Sequence, residues 1–163
     1  MQQIIKPAAI GATVVSGAIF GFFYAWVCST MWGLDRLDPR IAIEAMNAMN
    51  GSVRNAVFAP AFFGTPLVLG LAAILLVKSN RRGAGVWFAT AALTYLVLGM
   101  GLTMAVNVPM NEALALVSIP SDSAQAQVIW DTYSTKWQFW NQTRTVASGV
   151  AMLLACIGLT KVA

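Results

Sequence analysis

Three groups of polar residues lie within or beside strongly apolar runs, and they are the places where this chain could do chemistry. The densest is the stretch 130–144, WDTYSTKWQFWNQTR. On a helix, Trp130, Tyr133, Trp137, Trp140, Asn141 and Arg144 recur every three or four residues and share one face. Arginine inside a membrane span costs roughly 2.5–3.5 kcal/mol on insertion scales. Arg144 must therefore either snorkel to the interface or face a partner or wet cavity, where it binds an anionic or polarised group. The tryptophans also fit an aromatic belt at the membrane surface. The second group is residues 107–112, where Pro109 frees backbone carbonyls that lipid does not tolerate unless the protein satisfies them. Asn107 and Asn111 offer hydrogen bonds there, and Glu112 offers a negative charge or a base; ordinary turn chemistry at a helix end is the alternative. The third is Asn47, Asn50 and Arg54, on one face of a helix that leads towards the second span, readable as a site or as a solvated face. All three groups fall on the same side, so closure of their helices over the bundle would bring them to one pocket.

Several chemistries drop out. The chain has no histidine, which removes Ser-His and Cys-His dyads and His-ligated haem or zinc. Cys28 and Cys156 form no metal or redox motif. The pairs Met46/Met49 and Met100/Met104 have helical spacing and thioethers suit Cu(I), but without histidine or a cysteine pair they read as packing, and no metal site is expected. No Walker motif or Rossmann fingerprint is present. The ten Lys and Arg give a net charge of +4 but form no tract, which argues against nucleic acid as a partner.

The elements that must position these groups are membrane spans. Only 10% of residues are charged and 58% are hydrophobic, whereas an ordinary soluble domain carries roughly 25% charge to cover its surface. Apolar runs at about 8–31, 56–77, 85–106 and 141–160 each have the roughly 20 residues needed to cross about 30 Å of hydrocarbon. The expected fold is all-α: one domain over 1–163, an integral membrane four-helix bundle with helical extensions that form a cap on the outer side. A cleaved leader is disfavoured for the first run by its length and by the poor cleavage flank Cys28-Ser29-Thr30-Met31-Trp32. Lys6, Lys78, Arg81, Arg82 and Lys161 fall on one side with no acidic residue; all six acidic residues fall on the other. The positive-inside rule then predicts a multi-pass protein of the cell membrane with both termini cytoplasmic. Cys28 and Cys156 would lie near opposite faces, too far apart for a disulfide.

Asp38-Pro39 reads as an N-cap and N1 pair opening a helix over 39–50 that could run into the second span. Pro60 and Pro66 are expected to kink that span, and residues 107–109 to end the third helix. Asp122 with Gln125 resembles a capping box for a helix continuing through the fourth span. Gly17 and Gly21 have the spacing of a close helix contact, within the bundle first and in a homo-oligomer second.

At NVPMNEAL (107–114), W…W..WN..R (130–144) and MNAMN (46–50) the chain resembles a family of four-helix membrane proteins described as a domain of unknown function. That family includes the anthrone oxygenases of fungal and bacterial polyketide pathways. The resemblance covers nearly the whole chain and marks the family without fixing one reaction. It implies an oxygenase that needs no metal or organic cofactor, acting on a small hydrophobic aromatic substrate, with membrane lipid as its other partner. Under that resemblance Arg144 and Asn141 hold an enolate, and Glu112 or Asp131 is the base. Trp137, Trp140 and Tyr133 sandwich a flat polycycle, with Asn107, Asn111, Asn47 and Arg54 completing the binding set. Two other readings stand beside it. In a non-enzymatic membrane module binding lipid or a partner protein, Arg144, Asn107 and Asn111 would be interhelical glue. A proton-coupled transporter is disfavoured, because the first three spans contain no acidic residue to act as a relay.

Overall fold

The computed structural model describes residues 2–162. Four helices are long and apolar enough to cross a membrane: α1 (Gln3–Leu34), α3 (Phe58–Lys78), α4 (Arg82–Ala115) and α5 (Ser123–Thr160). A shorter helix, α2 (Pro39–Ser52), lies between α1 and α3, and the described residues contain no strand. The chain is therefore an all-helical, multi-pass membrane protein. α1 and α4 each pack on both α3 and α5. Polarity is inverted relative to a soluble domain, as a lipid solvent requires. Leu67, Leu71, Ile74, Val146 and Leu153 face outwards, while Thr65, Thr103, Asn107, Asn141, Arg144 and Ser148 are buried.

Both N-caps fall where the sequence places them, but Asp122 caps through the Ala124 amide and Gln125 does not return the bond that would complete a capping box. The Asp38 carboxylate accepts from the Arg40 amide at 3.0 Å and Pro39 opens α2; the Asp122 carboxylate accepts from the Ala124 amide at 2.9 Å and opens α5. Arg40 also donates to Asp38 through its guanidinium, which holds that carboxyl at about 2, below its usual range. The tight turn at 78–82 places Asn80 at φ 62, a left-handed conformation that asparagine tolerates better than most residues. Just beyond it, a Cβ on Gly85 would lie 2.6 Å from Val77 Cγ2. Only glycine lets α3 and α4 approach so closely there.

Four expectations need correction. α2 does not run into the second span: it ends at Ser52, and the Asn55 side-chain oxygen accepts from the Val57 and Phe58 amides to start α3 afresh. Pro60 falls in the first turn of α3, where the missing N–H has no partner to lose. Pro66 alone interrupts the interior, and the Phe62 carbonyl it leaves free accepts from the Tyr95 hydroxyl at 3.0 Å. Pro109 does not end the third helix. α4 carries two wide turns, Tyr95–Gly101 and Thr103–Asn107, and after the second the Val108 amide reaches back five residues to the Thr103 carbonyl. That register shift passes the helix over the proline to Ala115. Lastly, a Cβ on Gly21 would meet nothing within 4 Å and one on Gly17 would make only ordinary contact with Met152, so within the chain the close helix approaches are at Gly85, Gly99, Gly149 and Gly158 instead.

Candidate functional site

The wide turns of α4 build one wall of the site. Tyr95, Gly99, Thr103 and Asn107 are buried, and Asn111 is half-buried, at a repeat of four residues. In an α-helix of about 3.6 residues per turn, such a repeat drifts by about 40° per step. Wide turns rewind that drift, so the five positions stay on one face. The face opposes α5, whose buried residues Trp130, Tyr133, Trp137, Asn141 and Arg144 recur at helical spacing.

Arg144 sits where these faces meet. It is 5% exposed, so it does not snorkel. Its Nε and Nη2 both donate to Asn141 Oδ1, at 3.0 and 2.8 Å, and its Nη1 donates to Thr103 Oγ1 at 3.2 Å. The guanidinium lies over the Phe23 ring at 4.3 Å and the Trp137 ring at 5.1 Å, both attractive cation–π placements. The ion pairs among the described residues are Arg40–Asp38 and Arg54–Glu112; Arg144 is in neither. Its charge is held by neutral groups and ring faces, and is available to an anion.

Beside it opens a cavity of about 570 Å³, within the usual size of small-molecule sites. Arg144, Trp137 and Thr103 lie at its inner end with Phe23. Phe22, Trp26, Phe58 and Phe62 form aromatic walls, with Phe22 and Phe58 ring centroids 4.8 Å apart. Arg54 and Glu112 form an ion pair of 3.2 Å at the rim, each about 60% exposed.

An amide relay stiffens the wall. Asn111 Oδ1 accepts from the Tyr133 hydroxyl and from Trp137 Nε1, both at 2.8 Å, while its Nδ2 donates to Asn50 Oδ1 at 3.0 Å. Residues from all three polar groups thus meet at one cavity. Asn50, Arg54, Asn111, Glu112, Trp137 and Arg144 line the cavity, and Asn141 grips Arg144 from behind. Asn47 lines a smaller hollow of about 350 Å³ that shares Asn50, Arg54, Asn111 and Glu112 with the main one. Asn107 is fully buried with neither amide atom hydrogen-bonded.

Other residues fall elsewhere. Trp140 packs edge-on against Phe139 and does not line the cavity. Tyr133 reaches the site only through its bond to Asn111. Asp131 is exposed, accepts from Gln127 at 2.7 Å, and stands apart from the cavity. The belt reading fails for Trp130 and Trp137, which are 2% and 1% exposed.

The sequence reading missed Phe23, Trp26, Phe62 and Thr103. The four-residue repeat running back from Asn111 through Asn107 to Thr103 was the legible signal for the last. It also missed Asp35, which accepts from Trp130 Nε1, the Ser134 hydroxyl and Gln138 Nε2 and so ties the end of α1 to α5. Among the described residues no three of Cys, Asp and Glu gather as a metal site.

No curated protein and no solved structure matches the chain. The family model for anthrone oxygenase matches residues 54–154. That stretch holds α3, α4 and most of α5, hence Thr103, Asn111, Glu112, Trp137, Asn141 and Arg144. With more than half of its length matched, this chain belongs to the anthrone oxygenase family.

Proposed function

We propose that the cavity oxidises a flat, enolisable aromatic ketone of the anthrone type with O2, using no metal or organic cofactor. The observation that carries this reading is the buried, carboxylate-free guanidinium of Arg144 at the inner end of an aromatic-walled cavity. A carbonyl oxygen held there gains negative charge when the ring carbon opposite loses a proton. Preorganised donors stabilise such an oxyanion by far more in a dry site than in water. In an anthrone the carbonyl and the acidic CH2 sit on opposite edges of the central ring. A ligand with its oxygen at Arg144 therefore turns its CH2 away, towards the rim where Glu112 stands.

Glu112 takes that proton, and the electron pair moves onto the oxygen. The enolate gives one electron to O2, and the carbon radical and superoxide join in a C–O bond. The peroxide, protonated, then loses water and leaves a second carbonyl. In balance, CH2 becomes C=O, one O2 is consumed and one H2O is released. Asn141 and Thr103 fix the guanidinium; Asn111, held by Tyr133 and Asn50, fixes the Trp137 ring. We place the protein in the cell membrane with both termini in the cytoplasm, on the strength of the basic turn at 78–82.

The alternative, a membrane module that binds a lipid or partner without chemistry, calls for a closed cap with its polar groups paired. The open aromatic cavity and the free charge of Arg144 support the enzyme. The test is O2 uptake by the purified protein with emodin anthrone, followed by quinone absorbance. One O2 consumed per quinone, well above the uncatalysed rate, is the expected result. A rate equal to the protein-free control overturns the proposal.

A further inference from the structure

We infer that the cavity is loaded sideways from the bilayer, through a gap between α3 and α4 bounded by Phe63 and Met104, so that its ligand arrives as an uncharged, membrane-dissolved molecule. The inference rests on the cavity being a ligand site, but not on any reaction taking place there.

α3 and α4 pack backbone to backbone at one end; farther along, beside Phe63, the Tyr95 hydroxyl still bridges to the Phe62 carbonyl. Beside the turn at 78–82 the backbones approach closely across Gly85. Towards the other end the packing thins. α3 touches the wide turn Tyr95–Gly101 lightly, and it hardly meets the next, Thr103–Asn107. The helices diverge, and the space between them is the cavity.

Phe63 on α3 and Met104 on α4 both line that space, yet they are 50% and 47% exposed. A side chain that both walls a cavity and faces outwards marks the edge of an opening. Depth decides what lies outside it. α3 has 21 residues, which at about 1.5 Å per residue cross roughly the full hydrocarbon thickness. Phe63, five residues from the Phe58 end, is then about 8 Å inside that thickness. By the same rise Arg144, sixteen residues before Thr160, lies at a similar level, about 24 Å from the end of α5. At its Phe63 edge the opening is apolar, sits within the lipid and is level with the buried cation; the Met104 edge lies nearer the outer end of the hydrocarbon.

The other edge of the cavity carries the Arg54–Glu112 ion pair and Asn55, which face the aqueous side. A neutral polycycle partitions into hydrocarbon and meets the apolar gap; an anion does not. Charge must therefore develop after entry, next to Arg144.

The test uses the wild-type protein in phospholipid vesicles and a small bilayer-dissolved carbene precursor, 3-(trifluoromethyl)-3-phenyldiazirine, with adducts mapped by peptide mass spectrometry. Adducts are expected on Phe22 and Trp26, which line the cavity on α1, as well as on the lipid-facing Leu67 and Leu71. In the double variant Phe63→Trp/Met104→Trp the Phe22 and Trp26 adducts should fall at least tenfold while those on Leu67 and Leu71 stay constant. The latter pair also reports that α3 remains inserted. Each single variant should give a partial loss, and these serve if the double variant does not fold. Wild-type protein with no adduct on Phe22 or Trp26 overturns the inference, as does undiminished labelling in the Trp variants. The probe undergoes no oxygenation, so a positive result stands even if O2 uptake fails, and a negative one leaves the O2 assay to be judged alone.

Discussion

Replacing Arg144 by leucine tests the centre of the site, and two opposing terms set the expected outcome. The wild-type guanidinium is 5% exposed and has no carboxylate partner. Inserting such a group into a span costs roughly 2.5–3.5 kcal/mol, and leucine removes that cost. Leucine also strips two donors from Asn141 Oδ1 and one from Thr103 Oγ1. An unsatisfied buried polar group costs about 1–3 kcal/mol. The terms nearly cancel, so Arg144→Leu should fold in normal yield, with stability changed by no more than about 1–2 kcal/mol. Turnover has no such compensation. Losing the donor that faces the developing oxyanion should lower kcat by roughly 10²–10³-fold. Arg144→Gln keeps one donor and should fall between leucine and wild type. The assay is O2 uptake with emodin anthrone in nanodiscs, beside thermal unfolding of the same samples. Folded variants that both turn over at the wild-type rate would remove Arg144 from the chemistry. Variants that both fail to fold would show that the guanidinium is structural glue.

Further outcomes follow from the same contacts. Asn141→Asp places a carboxylate where the amide oxygen now holds Arg144; it should raise the melting temperature yet cut turnover more than tenfold, because the charge is then neutralised from behind. Equal or higher turnover would contradict the need for a free cation. Tyr95→Phe leaves the Phe62 carbonyl, already orphaned by Pro66, without a partner. It should cost about 1–3 kcal/mol in the wild type but much less in a Pro66→Ala background, a coupling that a double-mutant cycle in thermal unfolding reads directly. Additive effects would break that link. The Asp38 carboxyl is held at about 2 by hydrogen bonds from Arg40. Because its folded value lies below the unfolded one, the stabilisation of the α2 start is complete above about pH 4 and is lost as pH falls towards 2. The Arg40 amide resonance should titrate with a midpoint near 2, and an ordinary carboxylate midpoint would refute the cap.

The sequence alone determined the solvent and the elements. With so few charges, only hydrocarbon can cover this chain, and the four runs of spanning length follow from that. The caps at Asp38 and Asp122 were legible because a cap is local: one side chain answers an amide two residues on. Arg144 was legible as a site residue because its cost in lipid demands a reason. The tertiary structure decided everything that depends on which faces meet. Pro109 reads as a helix end in isolation, yet a wide turn carries α4 past it and aligns Thr103, Asn107 and Asn111 against α5. Trp137 and Trp140 look equivalent by type, but only Trp137 is turned inwards to Asn111 and the cavity. Helical spacing fixes which residues share a face. It does not fix which neighbour that face meets, and the pairing of Arg144 with Asn141, Thr103 and two aromatic rings joins three helices that the chain keeps far apart.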